Sequence, residues 1–208
     1  MSQRFTALLL VGLLSSFCGS VGAQKTMRVG ASSMQPSLAK TDEISINLLA
    51  YALSSPSRWD VVTYKSAANG SFWTHRIVGL PGDTVSYSRD KVLRINGKAV
   101  DLTFVVSRES TDGLNRKINV FMESFGNERH HIQLTEGSPA VLAASITDSQ
   151  AREQCRYENG GFSCLIPKDS YFVMGDNRDM SEDSRYLGSV PQWKIGGRVE
   201  NVPKPPLQ

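Results

Sequence analysis

The hydrophobic residues of this chain come in short runs rich in β-branched and aromatic side chains, and turn signals separate the runs. Such runs lie at Asp60 to Tyr64, Arg76 to Leu80, Lys91 to Ile95, Lys117 to Met122, Ser170 to Met174 and Ile195 to Val199. Between them stand Ala68-Asn69-Gly70, Pro81-Gly82-Asp83, Asn96-Gly97, Asp112-Gly113 and Gly137-Ser138-Pro139. Val, Ile, Thr and the aromatics fit a pleated, half-buried surface, whereas Gly, Pro and Asn supply the backbone angles of turns. Asn-Gly favours a two-residue type I′ loop, so Arg94 to Val100 is predicted to be a hairpin. Helical periodicity appears only in the leader and over Ile44 to Leu53. The expectation is a mostly β protein.

The same turn rule bears on the cysteines. Cys155 and Cys164 enclose RYENGGFS, with Asn159-Gly160 at the centre. Counting outward, Glu158/Gly161 is a hydrogen-bonded pair, Tyr157/Phe162 is not, Arg156/Ser163 is, and Cys155/Cys164 is not. Non-hydrogen-bonded partners sit about 4.5 Å apart at Cα, inside disulfide range. A hairpin disulfide is therefore predicted. Two free thiols or a metal site are the alternatives, and no nearby histidine or third cysteine favours metal. A disulfide suits an exported chain.

The N-terminus carries an export signal. Arg4 precedes the apolar stretch Phe5 to Leu14, and small residues follow up to Val21-Gly22-Ala23. These are the n-region, h-region and A-x-A-like site of a secretory leader. The strongly apolar part is about half of a bilayer span. Residues 1–23 are thus a cleaved signal peptide or a retained anchor, and either way the remainder is exported. Cys18 before Gly19 suggests a lipoprotein site, but Phe17 is bulky for that role.

Composition narrows the function classes. A chain of 208 residues, 40% hydrophobic, can bury one good core. Net charge is +3, from 23 basic and 20 acidic residues, and there is no long Lys/Arg run to bind nucleic acid. No internal repeat or low-complexity tract stands out. The proline-rich tail at 203–208 is expected to be disordered.

The densest chemistry lies in SYFVMGDNRDMSEDSRYLGSVP, residues 170–191. An apolar strand, Tyr171 to Met174, runs abruptly into Asp176, Asn177, Arg178, Asp179, Ser181, Asp183, Ser184 and Arg185, framed by Gly175 and Gly188. Buried charges persist only when paired or hydrogen-bonded. The segment reads as a satisfied polar network, either a structural turn or the support of an active site.

This segment resembles the GDNRxxSxDSRxxG signature of signal peptidase I, the membrane-bound serine endopeptidases that remove leader sequences from exported proteins. Three further boxes of that family follow the expected order: SSMQPSL at 32–38, RWDVVTYK at 58–65 and HRIVGLPGD at 75–83. The resemblance implies a β-rich catalytic core, about 24–83 plus 165–202, interrupted by a smaller β lobe at 84–164. It implies Ser33 as nucleophile, with its backbone N–H donating to the oxyanion. It also implies a leader peptide bound as an added strand, with Val29, Gly30, Ala31, Met34, Leu38, Trp73 and Thr74 lining pockets for small side chains; core packing is the alternative for each. Asp83 is expected to close the Pro81-Gly82 turn. His130 and His131 read as surface residues.

The chain departs from the family twice. Bacterial members usually carry lysine before the arginine of the K-R-x-x-G-x-P-G-D box, and here that position is His75. Arg76 cannot substitute, since a guanidinium stays protonated, and Lys65 has no catalytic counterpart. Histidine is chemically apt: lysine must lose several pKa units to accept a proton, whereas imidazole titrates near neutrality. The signal peptidases of the endoplasmic reticulum also pair serine with histidine. The expectation is a Ser33/His75 dyad, with an inactive homologue that binds extended peptides or partners an assembly as the alternative. Ser181 or Asp183 should orient His75, Asp183 being otherwise committed to Arg185. The second departure is Ala31, where many relatives have a serine that donates to the oxyanion. No cofactor or metal is called for. The implied setting is the outer face of a membrane, or the periplasm if the leader is cleaved. The altered base makes a dedicated substrate, within a secretion or conjugation apparatus, the alternative to general export.

Overall fold

The structure is a computed structural model that describes residues 23–66, 70–110, 114–146 and 148–203. The leader, the Asp112-Gly113 turn and residues 204–208 lie outside the described residues, and Ala68-Asn69-Gly70 does so in part. Among the described residues, strands numbered in chain order form three antiparallel sheets. The largest takes β1 (Gln24–Arg28), β2 (Glu43–Asn47), β3 (Val61–Lys65) and β4 (Phe72–Gly79) from one end of the chain. From the other end it takes β13 (Ser170–Met174), β14 (Val190–Pro191) and β15 (Ile195–Val199), in the spatial order β1-β2-β15-β3-β4-β13-β14. The intervening chain folds into two further sheets. One holds β5 (Thr84–Tyr87), β6 (Leu93–Ile95), β7 (Lys98–Ala99), β11 (Cys155–Glu158) and β12 (Gly161–Leu165); the other holds β8 (Asp101–Glu109), β9 (Lys117–Phe125) and β10 (Glu128–Thr135).

β13 is the hub of the packing. All five of its residues are buried, so its sequence is a continuous apolar run rather than an alternation. Phe172 and Met174 face a cluster shared with Val78 of β4 and with Val85, Tyr87, Leu93, Ile95 and Phe162 of the five-stranded sheet. Tyr171 and Val173 face the opposite side, against Val62, Tyr64, Ile77 and Val190. β5 begins directly beneath this crossing, and Gly79 is where the chain squeezes through. A Cβ on Gly79 would meet Val85 Cγ2 at 2.6 Å and Phe172 Cβ at 2.9 Å. A third cluster, of Val29, Met34, Leu38, Ile44, Ile46, Val61 and Val199, packs beneath the segment that carries Ser33.

Both Asn-Gly hairpins form. Asn96 and Asn159 take positive φ, as do Gly97 and Gly160, which is the type I′ requirement. The Cys155 hairpin has the predicted register, Cys155↔Cys164 through Glu158↔Gly161, and its two cysteines are disulfide-bonded. The helix read over Ile44 to Leu53 is overturned. Ile44 and Ile46 are buried on one side of β2, which alternates with period two, and Leu48, Leu49 and Leu53 lie exposed in the turns that follow. Their helical spacing reflects a strand followed by an exposed turn. No helix among the described residues is long and apolar enough to cross a membrane.

Candidate active site

Ser33 lies half-buried in the turn that follows β1. It shares a cleft of about 490 Å³ with His75, whose walls are residues 27 to 31 on one side and 71 to 75 on the other. Both walls offer unpaired backbone among the described residues. β1 is the outermost strand of its sheet, and β13 pairs with β4 only from Arg76 onward, which leaves Phe72 to His75 with a free edge. Val29, Gly30, Ala31, Met34, Trp73 and Thr74 border this cleft, Val29 and Met34 being at the same time buried in the cluster beneath it. Leu38 does not. It is 2% exposed and packs in the cluster with Ile44 and Val61, because its turn directs it beneath Ser33 rather than over it.

The signature segment fastens this cleft from below. Asn177 donates its backbone N–H to Ser33 O at 2.9 Å and its side-chain amide to Ser32 O at 3.1 Å. Gly175 is necessarily glycine, since a Cβ there would meet Ser181 Oγ at 2.2 Å and Ser33 O at 2.5 Å. Ser33 and Ser181 thus crowd the same side of Gly175. The Ser33 amide donates no hydrogen bond among the described residues, so it is available to a ligand.

The buried charges of the segment are each paired, mostly with distant partners, while Glu182 is exposed. Asp176 takes Arg76 on both oxygens, at 2.8 and 2.6 Å. Arg178 binds Glu123 of β9, and Asp179 binds Lys91 at 2.7 Å. Asp183 receives Arg185 at 2.8 and 2.9 Å and the Gly175 N–H at 2.9 Å. These pairs bolt one loop to all three sheets. Asp83 closes its turn as expected, accepting from Leu80 N at 2.6 Å, and also pairs with Arg58.

His75 is 2% exposed and makes two side-chain contacts. Nε2 lies 3.1 Å from Ser181 Oγ, and Nδ1 lies 2.7 Å from the Tyr64 hydroxyl. Trp73 stands edge-on to the ring, with centroids 6.1 Å apart. Ser181, not Asp183, therefore contacts the imidazole; both Asp183 oxygens are occupied by Arg185 and the Gly175 N–H. Burial pushes the His75 pKa down to about 4, and the charge of Asp183 opposes that shift. No hydrogen bond joins Ser33 to His75 among the described residues, as is common before a substrate tightens such a site.

His130 is a correction to the surface reading. It is 4% exposed, its ring centroid lies 4.9 Å from that of Trp59, and Nε2 lies 3.0 Å from Glu123 Oε2 but off the hydrogen-bond line. Glu123, Asn177, Gly175 and Tyr64 are the contributors to this region that sequence reasoning did not assign. Gly175 and Asn177 stand within the signature segment, and Tyr64 left a signal of its own. It stands in the RWDVVTYK box on the face of β3 that carries Val62, and Val62 pairs with His75, so the two are diagonal neighbours within reach across the strands.

The cleft thus holds a half-buried serine above a buried polar loop, and relatives give this arrangement a family. Residues 2–202 match the family described as Signal peptidase, peptidase S26. The chain is 30% identical over 213 residues to signal peptidase I of Aquifex aeolicus (strain VF5), covering 96% of this chain and 82% of that protein. It is 30% identical over 219 residues to signal peptidase I of Pseudomonas aeruginosa, covering 94% and 68%. A crystal structure of a signal peptidase I from Enterococcus faecalis V583 is 29% identical, covers 71% of this chain and 98% of that one, and superimposes loosely, with a TM-score of 0.39. The chain belongs to the signal peptidase family, peptidase S26, and is a serine-type endopeptidase.

Proposed function

We propose that this enzyme removes leader peptides from exported preproteins, cutting after small residues, with Ser33 as nucleophile and His75 as general base. The observation that carries the reading is the composition of the cleft. His75 lines it beside Ser33, and no lysine does among the described residues. The leader would lie extended between the two free strand edges, adding a strand to each. Gly30 has open space where a Cβ would stand, and Ala31 beside it is exposed, so side chains next to the scissile bond meet a smooth wall.

Ser33 Oγ adds to the scissile carbonyl carbon while its proton passes to His75 Nε2. The oxyanion is held by the Ser33 N–H. Collapse breaks the C–N bond, the leaving amine takes the proton from Nε2, and an acyl-serine remains. Water then attacks the ester and gives a proton to His75, and collapse breaks the C–O bond to Ser33 Oγ, which takes that proton back from Nε2 as the acid product leaves. Ser181 lies 3.1 Å from Nε2; with the imidazole proton on Nδ1 it donates to the Nε2 lone pair, which it would share with Ser33 once substrate is bound. With Ala31 in place of a hydroxyl donor, transition-state stabilisation rests on fewer hydrogen bonds than in relatives that have serine there. The reaction would take place at the outer face of a membrane, where residues 1–23 direct the chain.

The full-length protein, incubated with a preprotein bearing an Ala-x-Ala leader site, should yield the mature product cut after the second alanine. Ser33→Ala and His75→Ala should each fail to do so while remaining folded. Unchanged turnover in either variant would remove that residue from the mechanism.

A further inference from the structure

A general base needs its free lone pair aimed at the nucleophile, which requires the other ring nitrogen to hold the proton. In His75 that other nitrogen is Nδ1, and its partner is the Tyr64 hydroxyl at 2.7 Å. No carboxylate does this work, because Asp183 is committed to Arg185 and Gly175 N–H. We propose that Tyr64 is a positioning residue for His75: its hydroxyl oxygen accepts the Nδ1–H, fixes the imidazole in that tautomer, and leaves Nε2 basic on the side where Ser181 and Ser33 crowd Gly175. This rests on His75 being the base.

A hydroxyl can donate as well as accept, so Tyr64 alone does not select the tautomer. The surroundings do. Tyr64 and Asp183 wall the same small cavity of about 130 Å³ on the side away from the cleft. Asp183 is the foremost charge acting on the Tyr64 hydroxyl, and it favours an O–H turned toward it, with an oxygen lone pair left for Nδ1–H. The same charge favours a proton on the imidazole. Burial and Asp183 raise the Tyr64 pKa far above its ordinary value, so the group stays a neutral phenol and is not itself the base. The opposite arrangement, Tyr64 donating to Nδ1, would put the imidazole proton on Nε2 and leave no lone pair for Ser33. The charged groups around this pair are Asp176, Asp183 and Arg185 from the signature segment, Glu182 at the cleft mouth, and Lys65, Asp148 and Lys194 around the Tyr64 cavity.

The replacement Tyr64→Phe removes one oxygen and keeps the ring that packs against Trp73. Full-length protein labelled with ¹⁵N-histidine reports the tautomer directly, and the His75 resonances are identified by their loss in His75→Gln. The expected result is the Nδ1–H tautomer in the parent enzyme and a shift toward Nε2–H in Tyr64→Phe. In the same variant kcat should fall on the order of 10²-fold, the lower end of what a positioned base contributes, with KM for a leader peptide nearly unchanged. An Nε2–H tautomer in the parent enzyme, or an unaltered tautomer and kcat in Tyr64→Phe, would overturn the proposal. The tautomer is also read in Ser33→Ala, where no turnover is needed. Activity in His75→Ala would therefore defeat the base assignment separately from the Tyr64 assignment.

Discussion

His75 and His130 are both buried within strands, 2% and 4% exposed, yet their surroundings are opposite in kind. His130 leans on Trp59 and sits beside Glu123, a carboxylate already claimed by Arg178. His75 touches two neutral hydroxyls and opens on a cleft. Burial lowers the pKa of both, so neither depth nor titration distinguishes the proposed base from a wedge. What distinguishes them is whether a lone pair can be reached and whether its partners can exchange donor and acceptor roles. A hydroxyl can exchange. A carboxylate locked to an arginine cannot.

The comparison breaks most sharply at turnover. Ser33→Ala and His75→Ala should each lower kcat by at least about 10⁴-fold, as removal of a nucleophile or its base does, whereas His130→Ala should keep most of its turnover per folded molecule. Single-turnover cleavage of a leader substrate measures all three, and a dead but folded His130→Ala would erase the distinction.

On the structural side, Glu123→Ala strands Arg178 in the interior and removes the carboxylate beside His130. Breaking a buried pair from one side costs about 3–5 kcal/mol, which urea unfolding would resolve. A loss below about 1 kcal/mol would mean the network is not holding the loop.

His75→Lys sharpens the active-site half. Asp183 is held by Arg185 and is not free to trap an ammonium, so the buried lysine should titrate low enough to act beside Ser181. The variant should keep activity within roughly 10²-fold, with its optimum at higher pH. Complete inactivity near pH 9 would show that the pocket fits imidazole alone.

The gentlest test is acid. Imidazoles in the unfolded chain protonate near 6.5, while the two buried ones take protons only at lower pH, His75 at about 4. The unfolded state therefore binds more protons in that interval, and stability should fall as pH drops through it, by up to about 1.4 kcal/mol per pH unit for each histidine. Turnover should persist down to about pH 5 and fail as imidazolium forms. A fall already complete at pH 7 would assign the titration to another group.

Much of the strand pattern was legible because it rests on local chemistry. Ser170–Met174 and Ile195–Val199 were read with their observed ends, and the cysteine register followed from one Asn-Gly turn. β8 was not read, since all nine of its residues are exposed and carry no buried face to betray it. β10 was missed because His130, Gln133 and Thr135 are buried polar residues whose partners lie elsewhere in the chain. The same limit hid Tyr64 and left Ser181 and Asp183 undecided. Which hydroxyl meets which ring nitrogen depends on cross-strand register and on Arg185 claiming the carboxylate. Neither can be read from spacing.

The ties beneath Ser33 also govern when the enzyme comes to life. Asn177 reaches Ser32 across 145 positions, Asp176 reaches Arg76 across 100, and Asp179 reaches Lys91 across 88. Closing such long loops is slow, because entropy is lost before any contact repays it. A chain made from its N-terminus therefore carries its serine long before the cleft around it is fastened. The last sixth of the sequence, from Gly175 onward, acts as the latch, and a chain truncated before Gly175 should be inert. For a protease, late assembly is a built-in safeguard against cutting neighbouring chains while it folds.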